Sequence, residues 1–507
     1  MNALRRPSTL LALLVLGNSL LHFVLGCLLG LTGDEAHYAL YASHLALSYY
    51  DHPPLVGWIQ WPLVALGAPD GVLRLIPEAL WALGAVIVYD IARRLHTLLV
   101  PATGSAEGAG LWAALAYTLA PLLHLIGIGL VPDTLLMTLT AAVMWQTLRL
   151  LDEDVADHLS AWLLLGLLLG LAGLSKYTAI FAALPVMVCL FSAYGTVLLR
   201  RAGPWLALLL AIALVLPVFI WNAQHEWISF RYQLHHGTGG SWQFSAVLIF
   251  LVAQLLLYPV FVRGLFGLRH GVRGGFALDS AQRWLLAFFA VPFFALAYLA
   301  GGGTSLPHWT APAWVALAPF VGLGLAALWA HGRRWLIAVA LGLQGLLTLI
   351  FYVLMLWGGA PGMVGVPIDS EDTEAQNPFT DFYGWQQAGA RAREIAQQNG
   401  ITHLAVQNWT LASRFAWYAR PLPVHVLAPD FDQFTLWSGP LFEGSNAVVM
   451  DWSQMSYRLP VGEGQFERCR PVEVVPVERA GRMISHFRLY ICEGWGGVPQ
   501  PRRSDEP

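Results

Sequence analysis

Charge is what this chain has least of. Asp, Glu, Lys and Arg make up 12% of its 507 residues, against roughly 25% in soluble globular domains. A single soluble domain is excluded. With 57% hydrophobic residues and a mean hydropathy of +0.57, the composition is that of a polytopic membrane protein. The net charge is only -3 and no long Lys/Arg run is present, so no nucleic acid partner is implied. No internal repeat, glycine-rich phosphate loop or paired Cys-x-x-Cys occurs, which argues against an ATP-driven pump and against a structural zinc module. No cofactor follows from these absences, and a divalent metal held by carboxylates stays open. Lysine occurs once, at Lys176.

What is present is a succession of apolar runs. A helix needs about 20 mostly apolar residues to cross the hydrocarbon core, and about eleven transmembrane helices are predicted. They fall near 9–30, 71–92, 109–127, 132–150, 160–174, 178–197, 204–221, 244–262, 284–300, 310–330 and 335–357. Arginines gather on alternate connections: Arg5 and Arg6, Arg93 and Arg94, Arg200 and Arg201, Arg263 to Arg283, Arg333 and Arg334. The positive-inside bias then makes the N-terminus cytoplasmic. The loop 31–62, the connections at 127–133 and 175–177, the loops 222–243 and 301–309, and everything after Trp357 share the outward face. Asp90, close before Arg93 and Arg94, reads as a helical salt bridge. Cys27 and Cys189 lie in spans and read as small core residues.

The loop 31–62 concentrates ionisable groups at a membrane surface: Asp34, Glu35 and His37, then Tyr50-Asp51-His52 before Pro53-Pro54. Carboxylates beside a bilayer are costly, and their presence marks a functional site by default. Asp34 and Glu35 are adjacent and point different ways in any regular structure, so one serves as general base while the other orients a partner. Tyr38, Tyr41, Leu45 and Tyr49 stand at helical spacing, which predicts an interfacial helix ending at the paired prolines. His52 either caps that helix or serves the site.

Other outward positions add candidates. Asp133 opens the fourth span and is read either as its N-cap or as an orienting acid. Lys176 is suited to holding a phosphate as a point charge, with snorkelling to the interface as the plainer reading. Arg231 and His235 lie in a mixed aromatic and basic stretch at 225–236, and His308 follows a triple glycine; a surface loop accounts for these about as well.

After Trp357 the character changes. Residues 1–357 form the membrane domain, 358–378 a Gly/Pro/acidic linker, and 379–507 a C-terminal α/β domain outside the membrane. A helix at 385–398, stopped by Asn399-Gly400, precedes strand-like pieces at 402–406, 424–427 and 447–450. Strands at 472–477 and 483–491 around a turn at Ala480-Gly481 set Cys469 opposite Cys492, so a disulfide is predicted in an oxidising periplasm.

The stretches Gly33-Asp34-Glu35-Ala36-His37-Tyr38, Tyr50-Asp51-His52-Pro53-Pro54, Val131-Pro132-Asp133-Thr134-Leu135-Leu136 and Gly173-Leu174-Ser175-Lys176-Tyr177 carry a resemblance. The chain resembles membrane glycosyltransferases of the GT-C fold, in the ArnT-like and protein O-mannosyltransferase-like group. The resemblance implies inverting transfer of a sugar from a polyprenyl-phosphate donor to a hydroxyl of lipid A, a core glycan or a protein, at the outer face of the bacterial inner membrane. It matches the first-loop carboxylate to Asp34 with Glu35 beside it, the second-motif acid to Asp51, the acid heading a later span to Asp133, and the phosphate-contacting lysine to Lys176. Aminoarabinose transferases carry a lysine after the second-motif acid. His52 stands there in this chain, which sets that donor apart.

A transporter or flippase of lipid-linked sugars is the competing class. Such proteins often show internal repeats and ionisable groups at the midplane, whereas here the ionisable groups gather on one face.

Overall fold

The computed structural model describes residues 6–99, 105–236, 241–273, 279–302, 306–360 and 377–499, without the side chains of 235, 236, 272, 273, 280 and 281. Most of the predicted linker and the His235 side chain therefore lie outside the described residues.

In chain order the helices are α1 (Pro7–Leu28), α2 (Gly33–Ser43), α3 (Leu55–Ala65), α4 (Asp70–Leu73), α5 (Leu75–Thr97), α6 (Ala106–Thr118), α7 (Pro121–Ile128) and α8 (Pro132–Arg149). Then follow α9 (Glu153–Ala156), α10 (Leu159–Ser175), α11 (Ile180–Tyr194), α12 (Ala202–Gln224), α13 (Ile228–His236), α14 (Phe244–Leu257) and α15 (Pro259–Arg273). After α16 (Ser280–Trp284), α17 (Ala287–Ala300), α18 (Ala311–Ala330) and α19 (Arg334–Trp357), the chain alternates helix and strand. Those elements are α20 (Trp385–Gln398), β1 (Leu404–Val406), α21 (Trp409–Tyr418), β2 (Val424–Val426), α22 (Gln433–Trp437), β3 (Ala447–Trp452), β4 (Phe466–Arg479) and β5 (Arg482–Trp495).

Among the described residues seven helices are long and apolar enough to cross a membrane, or nine when two bent pairs are each one span. The chain is thus a multi-span membrane protein, and every predicted run coincides with helix. The count of eleven is not reached by this measure. Helix α10 is short, and α8 dilutes its apolar residues with Thr134, Thr138, Thr140 and Gln146.

Contacts divide the chain into a helical unit, residues 1–24, 46–59 and 74–350, and a sheet unit, residues 25–45, 60–73 and 351–507. In the helical unit the span containing α18 is the most enclosed, 89% buried. Glycines bring neighbours close: a Cβ on Gly324 of α18 would overlap the carbonyl oxygen of Gly264 on α15, a packing mode suited to lipid, where dispersion replaces the hydrophobic drive. The α6–α7 and α14–α15 pairs bend by 72° and 85° at Pro121 and Pro259, residues without an N–H to continue the helix. Backbone groups freed inside a bilayer must find partners. Helix α19 supplies them: Gln344 Oε1 accepts from the Val260 N–H at 3.0 Å, Gln344 Nε2 donates to the Ala116 carbonyl at 3.3 Å, and Thr348 Oγ1 donates to the Leu119 carbonyl at 2.8 Å. Asp90 pairs with Arg93 at 2.7 Å and Arg94 at 2.5 Å.

The sheet unit holds five strands in the order β2-β1-β3-β5-β4. β1 runs parallel to β2 and β3, while β5 is antiparallel to both β3 and β4. The parallel strands are buried almost throughout, as strands of parallel sheets generally are. β4 and β5 join through Ala480 (φ 48°) and Gly481 (φ 71°), the left-handed pair that a two-residue hairpin turn demands. Cys469 faces Cys492 in register and the two are bonded. The bond closes a separation of 23 residues, so replacing both by serine is expected to cost the sheet unit about 3 kcal/mol. The check is a chemical melt followed by near-UV circular dichroism. Cys189 is buried, but Cys27 is exposed. α1 turns it toward α4, where a Cβ on Gly71 would meet its Sγ at 2.8 Å.

Candidate functional site

In the sheet unit, the start of α2 is fixed by its own sequence. Thr32 is the N-cap: its Oγ1 accepts from the Glu35 N–H at 3.3 Å, while Glu35 Oε2 accepts from Thr32 N at 3.0 Å and from Thr32 Oγ1 at 3.1 Å. This reciprocal cap satisfies helix donors that would otherwise be orphaned. It engages the Glu35 carboxylate, which is only 5% exposed. Asp34 sits in the same first turn.

Helix α21 faces this turn. Ser413, Arg414, Trp417 and Tyr418 fall at helical spacing on one side, and each finds a partner. Ser413 Oγ lies 3.0 Å from His37 Nδ1. Tyr418 Oη accepts from the Leu31 N–H at 2.8 Å and donates to Asp70 at 2.6 Å, and Trp417 Nε1 donates to Asp70 at 3.1 Å. Arg414 is fully buried and ion-paired with Asp381. Asp381 also accepts the Gly33 N–H at 3.1 Å. The guanidinium stacks 3.9 Å from the Trp385 ring centre and 4.9 Å from that of Trp452. Burial pushes its pKa down to about 9 while the nearby charge of Asp34 opposes the fall, so it remains a cation at neutral pH.

The interfacial helix expected to reach Tyr49 ends at Ser43, with His44 as its C-cap. In the helical unit the following segment closes on itself instead: Ala46 N–H donates to Tyr49 Oη at 3.1 Å, Tyr49 N–H to the His52 carbonyl at 3.1 Å, and Trp58 Nε1 to the Ala46 carbonyl at 3.0 Å. These bonds replace the helical ladder and shape the turn carrying Tyr50, Asp51 and His52. Helix α13 lies along it, with the Tyr232 ring 4.6 Å from that of Tyr50 and Gln233 Nε2 donating to the Asp51 carbonyl at 2.6 Å. Arg231 is exposed on the same helix.

Asp133 is not the N-cap of α8. Val131 occupies that position, and Thr134 Oγ1 accepts from its N–H at 3.2 Å. Asp133 instead holds Lys176 Nζ through both carboxylate oxygens, at 2.8 and 2.7 Å. Lys176 does not snorkel: it is 6% exposed, Asp133 4%, and Nζ stands 4.9 Å from the Trp309 ring centre. A buried cation needs such a partner. His308 and His52 act on Asp133 electrostatically, and Tyr177 Oη lies 2.7 Å from Ser229 Oγ of α13. Beside this group a small, mostly apolar crevice is lined by residues that include Leu136, Phe181, Leu296 and Trp309.

Asp51, His52, Asp133, Lys176, Arg231 and His308 thus belong to the helical unit, and Asp34 and Glu35 to the sheet unit. The His235 side chain is outside the described residues. Among the described residues no group of three or more His, Cys, Asp or Glu side chains is arranged to hold a metal. Sequence reasoning missed Arg414 and Asp381, and also a buried chain in which His22 Nδ1 meets Glu78 at 2.7 Å and His22 Nε2 meets His124 Nδ1 at 2.5 Å. Only the fold juxtaposes these.

Residues 51–221 match the family model described as dolichyl-phosphate-mannose-protein mannosyltransferase. The chain is 23% identical over 325 residues to the lipid A galacturonosyltransferase RgtD of Rhizobium johnstonii, a match covering 63% of this chain and 64% of that relative. The chain thus spans less than two thirds of that relative's length. ArnT of Cupriavidus metallidurans in the apo state superposes with a TM-score of 0.62 at 15% identity, covering 97% of this chain and 99% of that one. The same enzyme bound to undecaprenyl phosphate gives 0.62 at 16% identity, over 94% of this chain and 97% of that one. At such identities the structural likeness shows the fold.

Proposed function

We propose, from the premise that the chain is an ArnT-like glycosyltransferase of the GT-C fold, that it transfers a sugar from undecaprenyl phosphate to a hydroxyl of an envelope glycolipid. The reaction takes place at the outward face of the bacterial inner membrane. The observation that carries this reading is the buried Asp133–Lys176 ion pair with His52 and His308 close enough to act on it. Cations fixed at such a place stabilise the charge that develops on a departing phosphate. The exposed Arg231 and the half-buried His52 are the candidates to hold it, and Lys176 joins them if the phosphate displaces part of its hold on Asp133.

The acceptor oxygen attacks the anomeric carbon from the side opposite the phosphate. The bond from that carbon to the phosphate oxygen breaks, and the phosphate leaves with the electron pair. A carboxylate takes the hydroxyl proton, and the anomeric centre inverts. Asp34 is assigned that role, because Glu35 is occupied by its cap. Asp51 is the next candidate.

The name of the sequence relative makes lipid A and a galacturonic acid donor the first pairing to test, and the family description makes a protein acceptor the second. His52, standing where aminoarabinose transferases carry lysine, argues against an aminoarabinose donor. The test compares lipid A, core glycan and envelope proteins by mass spectrometry in cells with and without the protein. A sugar-sized mass difference on one of them supports transfer. A flippase would instead move labelled lipid-linked sugar between leaflets of a vesicle that contains no acceptor.

A further inference from the structure

Arg414 is an expensive residue to place where it is. A guanidinium with no exposed surface loses its hydration and must be neutralised nearby. Two carboxylates stand there. Asp381 pairs with it directly and also receives the Gly33 N–H, so the acid is tied both to the arginine and to the first turn of α2. Asp34, the next residue after Gly33, lies within the field of the same guanidinium. A methyl group on Gly33 would stand 3.3 Å from Thr410 Cγ2 and in ordinary contact, 3.7 Å, with Arg414 Cζ, so the first turn of α2 packs directly on the arginine. One cation shared by two acids leaves a net negative charge, and Asp381 is the acid already fixed by two bonds.

We infer that Arg414, held by Trp385, Trp452 and Asp381, is a positioning residue for Asp34: it sets the direction and charge of that carboxylate without touching substrate. This rests on the reading of Asp34 as the base. The four elements that meet here are α2, the 378–382 turn, α20 and α21, and they come from both ends of the chain.

The test uses the full-length protein in nanodiscs and in cells, with Arg414→Gln, Arg414→Lys and Asp381→Asn. Sugar transfer is read by mass spectrometry at matched protein level. Undecaprenyl phosphate binding is read by tryptophan fluorescence. Arg414→Gln is expected to lower turnover about 10- to 100-fold while undecaprenyl phosphate binding is unchanged, and Arg414→Lys is expected to recover part of the loss. Asp381→Asn lowers turnover in the same direction, because Asp34 then becomes the sole anion on the arginine. If Arg414→Gln keeps full turnover, or if turnover and lipid binding fall together in every variant with no recovery by lysine, the inference is overturned. Should Arg414→Gln fail to fold, the lysine and Asp381 variants decide by the same two readouts. Asp34→Asn separates this from the parent reading: if that variant stays active, the base has been misassigned whatever Arg414 does.

Discussion

Asp34→Asn is expected to abolish sugar transfer, by about 100- to 10,000-fold, while leaving the protein in the membrane with unchanged melting behaviour. Asparagine keeps the size of the side chain and its place in the first turn of α2 but cannot accept a proton at neutral pH. Glu35 is the control from the adjacent position. Its carboxylate accepts from Thr32 N and Oγ1, bonds that a glutamine oxygen also makes, so Glu35→Gln should retain most of the activity. Glu35→Ala removes the reciprocal cap and should cost about 1 kcal/mol of stability. Transfer measured on the same membranes for all three variants checks the assignment. Activity surviving in Asp34→Asn would move the base to Asp51.

The contrast between Asp34 and Glu35 shows what the sequence could and could not reveal. Local patterns were legible wherever a local cause dominates. α20 stops at Gln398 because Gly400, at φ 64°, follows in a left-handed conformation. The β4–β5 hairpin turns at Ala480-Gly481, and its register brings Cys469 to Cys492. Apolar length marked the spans. Residue type and position singled out Asp34, Asp51, Asp133 and Lys176, but not what each is bonded to. The Asp133–Lys176 pair joins residues 43 apart, and the bond from Gly33 to Asp381 spans 348. No periodicity encodes such partners, since they depend on how separate helices pack. The end of α2 was misread for a related reason: the tyrosines at helical spacing continue to Tyr49, but Tyr49 and His52 bond within their own turn and withdraw that segment from the helix.

Lys176 is the residue for which the fold changes the expected outcome most. A lysine awaiting a phosphate would be replaceable at little cost to stability, yet here it is buried against Asp133, and removing either partner strands the other charge. Lys176→Met and Asp133→Leu are therefore each expected to destabilise the helical unit by about 3 to 5 kcal/mol, whereas the double substitution should recover most of that loss. Thermal unfolding of the four proteins in detergent measures the cycle. Undecaprenyl phosphate binding then divides the two roles. If Lys176 also contacts the donor phosphate, the restabilised double variant binds the lipid about tenfold or more weakly, as loss of a charge-assisted bond of about 1.5 to 3 kcal/mol requires. If the pair only locks α8 to the end of α10, binding returns with the fold, and the phosphate contacts fall to Arg231 and His52.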